Sequence, residues 1–371
     1  MKVPFLDLKL QHKNLQKKLN ISLSRVFSSA AFLGGNETEK FKKLFSSLSS
    51  SIFTIPCSNG TSALYIGLKA AGMKPGDEVV TVANTFIATA EALSLAGASI
   101  KLVDVDKDTY NMDINKLEKI LSKKTRFIVP VFLYGLPANM EAIMSLARKY
   151  KCKVIADACQ AHGSIFPYNG LSKKAGSVAD CSAFSFYPGK NLGASGDAGA
   201  LTTSNKAIAQ KAFMLANHGI SKNRYQHECE AFNFRMDNIQ AAVINIKIPQ
   251  LQKWNKARRK IASLYSKAFK NTSFKIPVFP KGYFHVYHLY VIQVKNRDEL
   301  QKKLLKEGIQ TGIHYPIPIH LQKAYKYLGY PKGSFPVTEN AAKNILSLPI
   351  YPEMTEKQAK YVIKNILKYT R

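Results

Sequence analysis

Lys190 lies within residues 181–200 (CSAFSFYPGKNLGASGDAGA), in a turn bounded by Pro188–Gly189 and by Gly193, Gly196 and Gly199. A lysine withdrawn from water loses proton affinity, and its amine can then form a Schiff base with a carbonyl. The glycines do not follow the GxGxxG spacing of a dinucleotide loop. Asp157 opens residues 157–163 (DACQAHG), directly after an apolar strand around Ile155. An unpaired buried carboxylate is costly, so it needs either a protonated ring nitrogen or the amides of the next turn. In residues 57–64 (CSNGTSAL), Asn59–Gly60 permits a tight turn, and Thr61 and Ser62 can cap the following helix. That start reads either as a plain N-cap or as an anion site suited to phosphate. It lacks the Lys-Ser/Thr pair of a Walker loop. Phe86, in residues 83–89 (ANTFIAT), follows another strand and is either a core residue or a plate for a flat ring.

An anion cradle, a buried carboxylate, an isolated lysine and an aromatic plate form one chemical set. It suits pyridoxal 5′-phosphate, whose phosphate must be held, ring nitrogen kept protonated, aldehyde bound to a lysine and ring stacked.

Such a set needs a scaffold that brings strand ends together. Strands are expected at 51–56, 78–82, 100–103, 127–132, 153–156 and 182–186. Helices are expected between them at 61–71, 85–95, 115–121 and 138–150. This alternation marks βαβ units and a mostly parallel, covered sheet, whose ligands bind beyond the strands' carboxyl ends. Further on, 206–217 reads as helix, 221–231 as a polar, mobile segment, and 236–269 as one or two long helices. Residues 285–294, 298–307 and 310–314 read as strand, helix, strand. The expected fold is α/β, with a large domain over 1–250 and a smaller α+β domain over 251–371.

The chain has 371 residues, 46% hydrophobic and 21% charged, which is too apolar for a disordered protein. No apolar run is long enough to span a bilayer, and residues 1–19 lack the apolar core of a signal peptide. Five cysteines without a CxxC pair argue against a disulfide framework or structural zinc and suit a reducing cytosol. Lys and Arg number 54 against 24 Asp and Glu, a net charge of +30. Residues 241–371 carry 24 basic and 6 acidic side chains, so 24 − 6 = +18 falls in the last third. Only 9 of the basic residues are Arg, the fork that phosphate and base readers favour, so a solvated lysine surface fits better than a nucleic-acid partner.

The chain resembles the DegT/DnrJ/StrS family of sugar aminotransferases, fold type I pyridoxal-phosphate enzymes. The resemblance runs from VPFLDLKLQ (3–11) through GTSAL, NTFIAT, DACQAHGS, SFYPGKNLGASGDAGA and NHG (217–219). It continues through NFRMDNIQAA (233–242), HVYHLYVI (285–292), IHYPIPIHLQ (313–322) and LSLPIYPEMT (346–355). It implies that Lys190 is the Schiff-base lysine and that Asp157 pairs with the pyridine nitrogen. It further implies Gln160 against the cofactor near its hydroxyl, Phe86 stacked on one face, and Gly60, Thr61 and Ser185 on the phosphate. Asn233 matches the position that reaches the phosphate from the neighbouring subunit, which implies a homodimer with shared active sites. Tyr187, His218, His314 and Tyr315 match the sugar pocket more loosely.

Two positions depart from the family pattern. Ala156 stands where an acidic residue is usual, and Phe234 where a small Ser is common. The family's sugar dehydratases carry His at the lysine position, and this chain keeps Lys190. The resemblance implies glutamate as amino donor and, as acceptor, a dTDP-linked 3-keto-6-deoxyhexose aminated at carbon 3. Amination of a 4-keto sugar at carbon 4 is the alternative. The product would enter a natural product or a surface polysaccharide such as the O-antigen of lipopolysaccharide. A sulfur-transferring relative would need a mobile nucleophilic cysteine, for which only Cys229 is placed. No metal site is expected, because His285 and His288 would face opposite sides of a strand.

Overall fold

The computed structural model describes residues 1–221, 223 and 225–370. Lys222 and Arg224 of the expected mobile segment, and Arg371, lie outside the described residues. Two helices, α1 (Leu8–Ser29) and α2 (Asn36–Ser49), precede an alternating run. That run is β1 (Phe53–Cys57), α3 (Gly60–Ala70), β2 (Glu78–Val82), α4 (Ile87–Leu95), β3 (Ser99–Val103), α5 (Ile114–Ile120), β4 (Thr125–Val129), α6 (Met140–Tyr150) and β5 (Lys153–Asp157). A short hairpin of β6 (Ile165–Tyr168) and β7 (Leu171–Lys174) leads to β8 (Cys181–Ser185), β9 (Gly199–Thr203) and α7 (Lys206–Ala216). The chain ends with α8 (Asn238–Lys247), α9 (Leu251–Phe269), β10 (Tyr290–Gln293), α10 (Arg297–Lys306), α11 (Pro336–Asn344), β11 (Ile345–Leu348) and α12 (Glu356–Thr370).

The large sheet has seven strands in the order β1-β9-β8-β5-β4-β2-β3. All pairs are parallel except those of β9, which runs antiparallel to both β1 and β8. Both faces are buried, as a sheet crossed by helical connections requires. Val79, Phe127, Val129 and Ile155 point to the face covered by α3, α4 and α7. Their neighbours Val80, Ile128, Val154 and Ala156 point to the opposite face, with Phe41 and Phe45 of α2. Successive side chains thus alternate between two cores, the period of a pleated strand. A third cluster joins α9, α10 and α12 with the β10–β11 pair, and Val3 from the amino terminus is buried within it.

The six strands expected in the large sheet are present, with ends shifted by a few residues. The strand expected over 127–132 stops at Val129, before Pro130, which has no N–H to pair. The stretch 236–269 is two helices, α8 and α9, joined by a 3-10 turn at Ile248–Gln250 that contains Pro249. The strand expected over 285–294 forms only at Tyr290–Gln293. That expected over 310–314 is replaced by single bridges, Ile309 to Val3 and Gly312 to Ser347. The second strand of the small sheet is instead β11, whose residues are fully buried.

Candidate active site

Parallel strands β1, β2, β4, β5 and β8 end at the same edge of the sheet, and the residues following them wall a cavity of about 620 Å³. From β1 comes the start of α3. Asn59 is the N-cap: its side-chain oxygen accepts from Ser62 N at 2.8 Å, and Ser62 Oγ accepts from Asn59 N at 3.1 Å. This reciprocal pair corrects the expectation that Thr61 caps the helix. The Thr61 side chain and the first helical amides, at Gly60 and Thr61, are therefore left to face the cavity. Ser185, at the end of β8, lines the same corner. A Cβ on Gly60 would stand 2.8 Å from Ser185 Cβ, so only glycine lets the helix start sit this close to β8. Amide and hydroxyl donors at a helix N-terminus form a donor set that fits phosphate.

β5 delivers Asp157. Its Oδ2 accepts from Thr89 Oγ1 at 2.8 Å, and its Oδ1 accepts from Cys159 N at 3.2 Å. Thr89 is held by Thr85 one turn earlier, Oγ1 to Oγ1 at 2.8 Å. The carboxylate is thus buried and aimed, yet both donors are neutral, which leaves it free to face a cation. Three residues beyond Asp157 lies Gln160, fixed at both ends: its Oε1 accepts from Tyr134 N at 2.7 Å and its Nε2 donates to Tyr315 Oη at 3.1 Å.

Lys190 enters from the turn after β8, where its own N–H donates to Tyr187 O at 2.8 Å. The turn is tight. A Cβ on Gly193 would come within 2.3 Å of Pro188 O, and one on Gly199 within 2.2 Å of Asn59 O. From behind, the fully buried Lys247 donates to Gly193 O at 2.7 Å. Burial lowers the Lys190 pKa, against the opposing pull of Cys159 and Asp157. An amine of reduced proton affinity beside a carboxylate is suited to carbonyl chemistry and to carrying a proton.

Phe86, after β2, is 51% exposed and lines the cavity, so it is not a core residue. Its ring lies 5.3 Å from that of Tyr315. His314 stacks on Phe5 at 5.6 Å and pairs through Nδ1 with Ser347 Oγ at 2.8 Å. Burial and the nearby Lys190 charge pull the His314 pKa down to about 4. Tyr187 completes this rim.

Asn233 and His218 do not reach the cavity of their own chain. Asn233 bridges to Asn217, and its Oδ1 accepts from Arg235 Nε at 3.0 Å. His218 donates its backbone N–H to Phe232 O. Cys229 is also outside the cavity; the thiol within it is Cys159, whose pKa burial and Asp157 push well above the usual value. A thiol so protonated is a poor nucleophile. Thr89, Cys159 and His288 were not singled out from sequence as parts of the site. For Thr89 a signal existed, since Thr85 and Thr89 are one helical turn apart within the quoted ANTFIAT.

Residues 13–367 match the DegT/DnrJ/EryC1/StrS aminotransferase family. The chain belongs to this family. A pleiotropic regulatory protein of Geobacillus stearothermophilus is 41% identical over 100% of this chain and 99% of its own length. The dTDP-3-amino-3,6-dideoxy-alpha-D-galactopyranose transaminase of Aneurinibacillus thermoaerophilus is 40% identical over 99% of each. Among solved structures, DesV of S. venezuelae, in complex with a ketimine intermediate, has a TM-score of 0.96 at 37% identity over 100% of this chain and 99% of that one. A further similar structure holds pyridoxamine phosphate. This family member therefore has the fold of the pyridoxal-phosphate aminotransferases and is an enzyme.

Proposed function

We propose that this aminotransferase moves an amino group from glutamate to carbon 3 of a dTDP-linked 3-keto-6-deoxyhexose. The observation that carries the reading is the convergence of Lys190, Asp157 and the α3 N-terminus on one cavity. In this reading the cavity takes pyridoxal phosphate, which supplies an aldehyde for the lysine and a ring that accepts an electron pair.

The chain's own groups have distinct tasks. Gly60 N, Thr61 and Ser185 hold the phosphate. Asp157, oriented by Thr89 and Cys159 N, keeps a proton on the ring nitrogen, because an ionised carboxylate beside it raises that nitrogen's affinity for hydrogen. Gln160 lies against the ring hydroxyl and Phe86 covers one face. Lys190 would hold the aldehyde and, with an amino substrate in the site, its amine would carry the proton taken from the substrate carbon. The same residues run the reverse sequence on the keto sugar. Tyr187, His314 and Tyr315 contact the sugar in this scheme, and Tyr315 stays protonated because burial raises its pKa.

We further propose a homodimer in which Asn233 reaches the partner's phosphate site, since within its own chain Asn233 lies outside the cavity. His218, on the same segment, would accompany it. Among the described residues no helix is long and apolar enough to cross a membrane. The cytoplasm, where nucleotide sugars and free thiols coexist, is the proposed location, and a polysaccharide such as O-antigen the proposed destination.

Support for carbon 3 comes from the 40% identity to a 3-amino sugar transaminase. The test is glutamate-dependent amination of matched dTDP-linked 3-keto and 4-keto 6-deoxyhexoses. Turnover of the 3-keto sugars is expected. Turnover of a 4-keto sugar alone would move the assignment to carbon 4.

A further inference from the structure

The HVYH segment contributes a histidine, His288, to the wall that also holds Lys190. None of the assignments above uses its ring. Behind it, Asn191 Nδ2 donates to Val286 O at 3.0 Å and to Asn255 Oδ1 at 2.9 Å. A backbone carbonyl can only accept, so this end of the Asn191 amide is the NH₂ and the other end is its oxygen. Asn255 is oriented in turn by Nδ2 donating to His162 O at 2.9 Å. Asn191 Oδ1 then faces His288 Nδ1 at 3.3 Å. That contact is attractive only when Nδ1 carries the hydrogen. A neutral imidazole has one N–H, so Nε2 is left as a bare lone pair.

The ring's surroundings keep it neutral. Arg258 Nη1 points at His288 O at 3.4 Å, and Lys190, His314 and His162 are the other titratable groups facing it. Burial, then the charges of Lys190 and Arg258, hold the His288 pKa well below the ordinary imidazole range. Meanwhile Asp157, aimed by Thr89 and the Cys159 amide, is the partner of the ring nitrogen in the reading on which this inference rests. When Lys190 carries a proton it becomes an ammonium with three donors in a confined space, and a neutral acceptor is the partner it lacks.

We propose that His288 is a positioning residue for Lys190: locked as the Nδ1–H tautomer by Asn191, it offers Nε2 to the Lys190 ammonium each time that amine holds the transferred proton. The inference rests on the reading of Lys190 as the proton carrier. It requires no titration of His288, only a fixed tautomer.

The direct test is nitrogen NMR of the holoenzyme labelled with ¹⁵N-histidine, with the His288 signals identified by their absence in His288→Asn. The expected spectrum shows a protonated Nδ1 and an unprotonated Nε2, unchanged over about pH 6 to 8. In Asn191→Leu, which removes the acceptor, the tautomer preference should be lost. An Nε2–H tautomer or an imidazolium in the wild type overturns the proposal and leaves the aminotransferase assignment intact. A kinetic arm reads the same contact. His288→Asn keeps a donor toward Asn191 but has no atom at the Nε2 position, whereas His288→Gln sets an amide oxygen near it. The proton-transfer step of the glutamate half-reaction should slow roughly ten- to a hundredfold in His288→Asn, the size of one hydrogen bond to a charged group. Glutamate KM and the covalent hold on the cofactor should not change, and His288→Gln should recover part of the rate. A wild-type rate in His288→Asn also overturns the proposal. Absence of any covalent cofactor at Lys190 in the wild type would instead remove the assignment on which it rests.

Discussion

Asp157 is kept in place by Thr89 and the Cys159 amide, and neither donor neutralises it. Replacing Thr89 by Val, which keeps the shape and removes the hydroxyl, should leave the carboxylate less well aimed. A drop in kcat of about tenfold, with sugar KM little changed, is the expected result of losing one hydrogen bond to a charged group. Steady-state kinetics of Thr89→Val checks it, and an unchanged kcat would remove Thr89 from this role. Lys190 and Asp157 were legible in the sequence because each is a charged residue in an apolar or glycine-rich stretch, where a charge needs a reason. Phe86 was ambiguous, since an aromatic after a strand looks alike whether it is covered by protein or left for a ligand. Thr89 and His288 were obscured for a different reason. Their importance lies in whom they face, and those partners are 68 and 97 residues away in the chain.

At the scale of elements, Asp104 after β3 anchors helix α11 to the large sheet. Its carboxylate accepts from Thr338 Oγ1 at 2.7 Å, Thr338 N at 3.0 Å and Val337 N at 3.1 Å, and pairs with Lys116 Nζ at 2.9 Å. Burial by itself would raise the Asp104 pKa, but Lys116 and the Thr338 and Val337 donors outweigh it and the pKa falls below the ordinary value. Such a group stabilises the fold above its unfolded pKa, and the contribution is lost as pH falls through the folded one. Asp104→Ala should destabilise the protein by about 3 kcal/mol, because it strands buried donors of a helix start. Chemical denaturation checks this, and a change under about 0.5 kcal/mol, the scale of an ordinary surface substitution, would show that α11 is held by apolar packing instead. The alternating strands and helices before β5 were legible because their periodicity and turn residues agree. In the last third the irregular stretch before β10 and the bridges of residues 309–312 were not, since backbone pairing over one or two residues leaves no periodic pattern.

At the scale of the whole molecule, several buried histidines lie in or behind the cavity wall, His288 and His314 lining it and His162 packed on Phe184 and Phe186. Burial and Lys190 lower the pKa of His162 to about 3, and the same causes lower that of His314 to about 4. A depressed histidine pKa means the unfolded chain binds more protons than the native one between the folded value and about 6.5. Stability should therefore be fully present above about pH 6.5 and fall as the pH drops toward about 4. Melting temperature measured across that window checks the sign, and His162→Phe, which removes one titrating ring, should flatten the slope. A melting temperature that rises on acidification contradicts it. The net charge of +30 bears on capture more than on the fold. Raising ionic strength should weaken kcat/KM for the dianionic sugar nucleotide while the glutamate half-reaction changes much less, because only charges within about a Debye length of the cleft steer a ligand. Equal losses in both would mean that salt acts on the protein generally.

The claim that Lys190 carries the cofactor is the one on which the rest depends. Borohydride reduction of the holoenzyme followed by peptide mapping reads it in one step. The expected result is cofactor mass fixed to the peptide containing Lys190, absent in Lys190→Ala and retained in Lys153→Ala. Cofactor fixed to a different lysine, or none fixed to the wild type at saturating pyridoxal phosphate, would contradict it.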